Sequence, residues 1–177
     1  MELHRTAVVT DEPAAAAGRV RAALNDAGWR EQSGALAFTR GTIPGTLLGV
    51  SPEWWRARAG VIVVPDGAGA RVELAMAVRT TGQVVTALER RFWEAEADEA
   101  IAAAASPDVA PRKSRALAAA AVRQNVVAAV VIVCGTAAAA TGLGRYLDSL
   151  VAYVFGAAAG LAVTLTWASW RLKVTLK

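Results

Sequence analysis

The residue types that carry most catalytic and metal chemistry are scarce in this 177-residue chain. There is one histidine, His4, and one cysteine, Cys134. His4 lies beside the N-terminus, with nothing nearby in sequence to fix it as a base. Ser33, Ser51 and Ser106 have no histidine beside them, and a serine nucleophile needs a base within hydrogen-bond reach. A lone cysteine rules out an intrachain disulfide framework or thiolate cluster. Placed in a long apolar run, it reads as a small apolar packing residue. Glu94, Glu96, Asp98 and Glu99 are spaced closely enough to approach a divalent cation, but no histidine or second acidic run completes a cage. The cluster reads as the solvated face of a helix, where Arg90 can offset the like-charged pair Glu94 and Asp98 by pairing with Glu94. Gly41-Thr42-Ile43-Pro44-Gly45 lacks the Gly-Lys-Ser/Thr ending of a phosphate loop. The chemistry thus expected is negative: no catalytic residue, no metal and no cofactor, hence not an enzyme.

The residues that could make a contact stand together at Trp54-Trp55-Arg56-Ala57-Arg58, after Leu47-Leu48. Two aromatics and two arginines, Trp54, Trp55, Arg56 and Arg58, could rest on a membrane surface or grip a partner. The plainer reading places one Trp in the core and the other over a sheet edge.

Two uncharged runs follow, Gln124–Gly144 of 21 residues and Ser149–Trp170 of 22. As helices each spans roughly 30 Å, the thickness of a bilayer's hydrocarbon core. Only residues 145–148 separate them, so they are expected to form a transmembrane hairpin. Gly156 and Gly160 form a GxxxG pattern in the second run, and Ala138 to Gly142 a weaker equivalent in the first. Small residues at this spacing let helix backbones approach in lipid. They suit packing of the hairpin on itself, or else a homodimer or another membrane protein. Neither run carries an ionisable group at mid-depth of the kind proton or ion pathways use, which speaks against a transporter or channel.

Charge is divided along the chain. Residues 1–110 hold 11 Arg against 14 Asp and Glu, a net of −3, whereas residues 111–177 hold 8 Lys and Arg against one Asp, a net of +7. The positive excess lies where anionic headgroups would be, and the soluble part lacks the basic surface that nucleic acid requires. Arg112, Lys113, Arg115 and Arg123 precede the first run, while Arg171, Lys173 and Lys177 follow the second; the loop holds Arg145 alone. Lys and Arg favour the cytoplasmic side. Both termini are therefore expected inside a cell (inner) membrane, with no leading signal segment. Arg outnumbers Lys 16 to 3, a bias that points to a GC-rich, bacterial coding sequence.

These features require an N-terminal domain, residues 1–106. A strand is expected at Arg5–Thr10, then a helix capped by Asp11 and ended by Gly28. Strands are expected at Leu36–Arg40, Gly60–Val64 and Arg71–Arg79, the last two joined by a turn at Pro65–Gly69. Residues 41–58 read as loop with an extended piece at Thr46–Val50. A second helix is expected from a capping box at Thr80 and Gln83 to about Ala105, with Val85, Leu88, Phe92 and Ala95 on its apolar face. Strand, helix, three strands and helix imply a two-layer α+β fold with an antiparallel sheet. Residues 107–123 read as a basic juxtamembrane linker in which Ser114 caps the next helix. Residues 124–144 and 149–170 are the two spans, and 171–177 a basic cytoplasmic tail. The function expected is a membrane anchor or accessory subunit with a cytoplasmic interaction domain. The alternative is a membrane-tethered binding module for a lipid or other apolar ligand.

Overall fold

A computed structural model describes residues 1–32, 36–43, 51–80, 85–106 and 112–147, together with positions 156, 158 and 160. It is α+β: β1 (Glu2–Val9), α1 (Pro13–Asp26), β2 (Arg30–Gln32), β3 (Ala37–Arg40), a 3-10 turn (Pro52–Trp54), β4 (Ala57–Asp66), β5 (Gly69–Val78), α2 (Ala87–Ala105) and α3 (Lys113–Leu147). The five strands form one antiparallel sheet in the order β1-β5-β4-β3-β2. The expected order of strand, helix, three strands and helix therefore lacked a strand. β2 is three residues long and fully exposed, so no apolar alternation marks it; pairing with β3 defines it.

The chain divides into two compact units, Met1–Gln83 with Leu88–Ala121, and Val84–Ala87 with Val122–Lys177. In the first unit, the alternation Ala70, Val72, Leu74, Met76, Val78 on β5 buries one face of the sheet, matched by Ala57, Ala59 and Val61 on β4. Ala16, Val20 and Leu24 of α1 and Phe92, Trp93, Ala97 and Ala100 of α2 complete that core. The opposite face is open, with Val8 and Ile62 67 % and 59 % exposed.

Local chemistry sets the turns. The β4–β5 hairpin closes through Gly67-Ala68, with Gly67 at φ 60°, so Pro65 belongs to the strand and not to the expected turn. α1 opens on Pro13 without a side-chain cap; Asp11 instead pairs with Arg19 at 2.6 Å. α1 ends in a Schellman motif: Gly28 at φ 88° donates to the Asn25 carbonyl, and Trp29 N–H to that of Leu24. This turn delivers Trp29 into the core, where it is 2 % exposed.

α2 is rotated from the expected face. Its buried stripe includes Glu89, Phe92, Trp93, Glu96, Ala97, Ala100, Ile101 and Ala104, so Glu96, expected on the solvated face, lies inside together with Glu89. Three helix ends are closed by side chains from elsewhere. Arg19 of α1 donates to the Ala104 carbonyl at the end of α2. Arg112 donates to the Ala23 carbonyl near the end of α1 and pairs with Asp26 at 2.7 Å. Glu99 of α2 accepts from the Ser114 N–H and hydroxyl at 3.0 and 2.6 Å. Ser114 was expected to cap α3; instead it is capped. The first turns of α3 thus belong to the N-terminal unit, with Ala118 and Ala121 buried. Glu99→Ala removes an anionic cap from a helix N-terminus and is expected to cost about 1–2 kcal/mol, read as a lowered melting temperature of the full chain in detergent.

Residues Lys113–Gly142 of α3 are long and apolar enough to cross a membrane, and few of them are buried in protein. Val126, Val127, Val130, Val131 and Val133 are 47–66 % exposed. A soluble surface helix confines its apolar residues to a buried stripe, and this one does not. Only one such helix is found among the described residues. The second expected span lies mostly outside them. At its described positions, a Cβ on Gly156 would fall 2.7 Å from the Ala140 Cα, and one on Gly160 would overlap the Thr136 side chain. At Gly142 a Cβ would meet nothing within 4 Å.

Candidate functional site

The described part of the proposed contact segment begins with a tight turn. Pro52 opens a single 3-10 turn in which Trp54 N–H donates to the Ser51 carbonyl and Trp55 N–H to that of Pro52, both at 3.2 Å. The chain then extends into β4. This change of geometry sends the adjacent indoles apart: Trp55 is fully buried and Trp54 is 51 % exposed. Gly41 makes the arrangement fit. It holds φ 70°, and a Cβ there would collide with the Trp55 carbonyl. Thr42 N–H donates to the Trp54 carbonyl at 3.1 Å. Ile43, next along the segment, is 47 % exposed, so Trp54 and Ile43 both present apolar surface to solvent.

Beneath the turn lies a buried polar cluster. Arg40 ends β3 on the core side, in register with Ala57. Its guanidinium pairs with Glu96 of α2 and, at 3.5 Å, with Glu53 of the turn. It also lies 5.8 Å from the centre of the Phe92 ring. Trp29 Nε1 donates to Glu96 Oε1 at 2.6 Å. Burial pushes the Glu96 carboxyl above its ordinary pKa, opposed by the Arg40 charge and by the hydrogen bonds from Trp29 and Arg40. Glu96 Oε2 has no hydrogen-bond partner among the described residues. Glu96, Glu99 and Arg112 help line a cavity of about 10 Å³, room for one water molecule. Trp93, edge-on to both Trp29 and Phe92 at 6.2 and 4.9 Å between ring centres, seals the cluster from the interior.

The cluster is suited to holding the turn, and no group of three or more His, Cys, Asp or Glu placed for a metal ion occurs among the described residues. The acidic set is dispersed: Glu96 is buried on Arg40, Asp98 pairs with Arg5 of β1 at 2.5 Å, and Glu99 caps α3. Arg56 is half-buried, its carbonyl accepting from Arg79 N–H. Arg58 lies on the open sheet face in register with Ala77. The four predicted contact residues therefore point to different places, and Trp54 alone keeps an exposed ring. Of the basic residues, Arg112 is engaged with Asp26 and Ala23, Arg115 lies 3.7 Å from Asp26, and Lys113 and Arg123 are exposed. Arg171 and Lys173 lie outside the described residues.

A heptad step was the missed signal for Glu96. Glu89 and Glu96 are seven apart and share the stripe of Phe92 and Trp93, so placing the aromatics inside places both glutamates inside. No family model, curated protein or solved structure shows a significant match to the chain.

Proposed function

We propose that this chain is an integral membrane protein whose N-terminal domain is a non-enzymatic interaction module, serving as an anchor or accessory subunit. The observation that carries this reading is α3, whose long apolar run leaves its valines outside the protein core. The closeness of Gly156 to Ala140 and of Gly160 to Thr136 supports a second helix returning antiparallel to α3, since the two contacts run in opposite sequence directions. A two-span hairpin with both termini cytoplasmic follows from that return and from the basic flanks. It also gives the GxxxG pair a use within one chain.

Trp54 is the proposed contact residue for a partner at the membrane. Exposed aromatic rings on rigid backbone lose little entropy on binding, and the Gly41 and Arg40 contacts supply the rigidity. A photocrosslinking amino acid at position 54 of the full chain, activated in cells, is expected to give a discrete adduct with a protein partner. The same probe at exposed Arg21, on α1 and away from the turn, should not give that adduct. Equal labelling from both positions, or none from position 54, would refute the assignment of Trp54.

A further inference from the structure

We propose that the open face of the sheet is the contact surface for a second copy of this chain, the two sheets being related by a twofold axis parallel to β5. This rests on the interaction-module reading and adds to it a self-association surface separate from Trp54. The evidence is the side-chain order across the strands. Arg58, Ala77 and Glu2 form one row across β4, β5 and β1; Gly60, Ala75 and His4 form the next; Val64, Arg71 and Val8 form a row near the far end.

A twofold axis along β5 keeps each row level and sets β4 of one copy over β1 of the other. Arg58 then faces Glu2 of the second copy, and the same pair recurs by symmetry. His4 faces Gly60, so an imidazole meets the one residue of its row without a side chain. Val64 faces Val8, which is 67 % exposed in the single chain. Ala75 and Ala77 meet their own symmetry mates on the axis, and their small side chains permit close approach. Charge thus matches in the Arg58 row, size in the His4 row and polarity in the Val8 row under one operation. The floor that would receive His4 is already hollow: a shallow depression of about 320 Å³ is lined by Glu2, His4, Arg58, Gly60, Ala75 and Ala77. On the axis the two Glu73 carboxylates approach each other, and so do the two Arg71 side chains in the row beyond, but Arg71 and Glu73 pair within each chain at 3.4 Å. Aligned packing of this kind is an ordinary way for two sheets to meet.

The test is native mass spectrometry of the full chain released from lipid nanodiscs, with membrane fractionation of the same variants. Wild type is expected as a dimer. Arg58→Glu sets like charges together twice and should weaken the dimer on the order of 100-fold, leaving a folded monomer in the membrane fraction. The double variant Glu2→Arg with Arg58→Glu should restore the dimer. A monomeric wild type would overturn the proposal, as would a dimer indifferent to Arg58→Glu or a double variant that stays monomeric. Loss of wild type from the membrane fraction with the dimer retained would instead refute the membrane reading alone.

Discussion

Arg40→Met is expected to destabilise the N-terminal domain by about 3–5 kcal/mol near neutral pH, because it strands the buried Glu96 carboxylate. Arg40 is the one cation paired with Glu96 among the described residues, and both side chains are at least nine-tenths buried. Burial already raises the Glu96 pKa, and Arg40 is the leading influence holding it down. Removing Arg40 drives the pKa further up. A carboxyl whose folded pKa exceeds its unfolded value contributes stability that is full below the unfolded pKa and is lost as pH rises through the folded one. The loss in Arg40→Met should therefore be small in acid, where Glu96 carries a proton, and grow as pH rises. The double variant Arg40→Met with Glu96→Leu should recover much of the loss and have a flatter pH profile, since two apolar groups replace the pair. Thermal unfolding of the full chain in detergent, followed by near-ultraviolet circular dichroism of the buried tryptophans, reads both effects. A loss independent of pH would show that Arg40 acts by packing alone.

Val133→Arg is expected to raise the cost of inserting α3 by about 2.5–3.5 kcal/mol, the penalty of an arginine near the centre of a membrane helix. Val133 is 66 % exposed, which makes the substitution discriminating. On a soluble helix an exposed valine changed to arginine alters stability by no more than about 0.5 kcal/mol and improves solubility. In a bilayer the same change should shift a measurable share of newly made protein out of the membrane fraction. Val133→Leu is the control and should remain inserted. Equal insertion of the arginine and leucine variants would contradict a span centred near Val133.

Helix α1, the β4–β5 hairpin and the apolar run were legible because each repeats a local signal: Pro13 with Gly28, alternation along β5, and unbroken hydropathy. β2 was illegible because three exposed residues carry no periodicity and exist as a strand only through β3. The rotation of α2 was hidden for a different reason. Glutamate at positions 89 and 96 argues for solvent on composition, and only tertiary pairing, as with Arg40 at Glu96, makes burial tolerable. The same limit applied to Trp54 and Trp55. Sequence offers both as contact residues, or one as core and one as cover, without saying which is which, whereas the 3-10 turn and the collision a side chain at Gly41 would cause decide which ring faces outward. Candidate site residues read from type alone were thus divided by backbone geometry that no short motif encodes.

The most direct test of membrane integration is alkaline carbonate extraction of membranes from cells making the full chain, beside a variant truncated after Ala121, where the N-terminal unit ends. The full chain should remain in the pellet with integral proteins while the truncated domain leaves it. Release of the full chain into the supernatant, folded and without its lipids, would contradict a spanning α3 and the membrane role built on it.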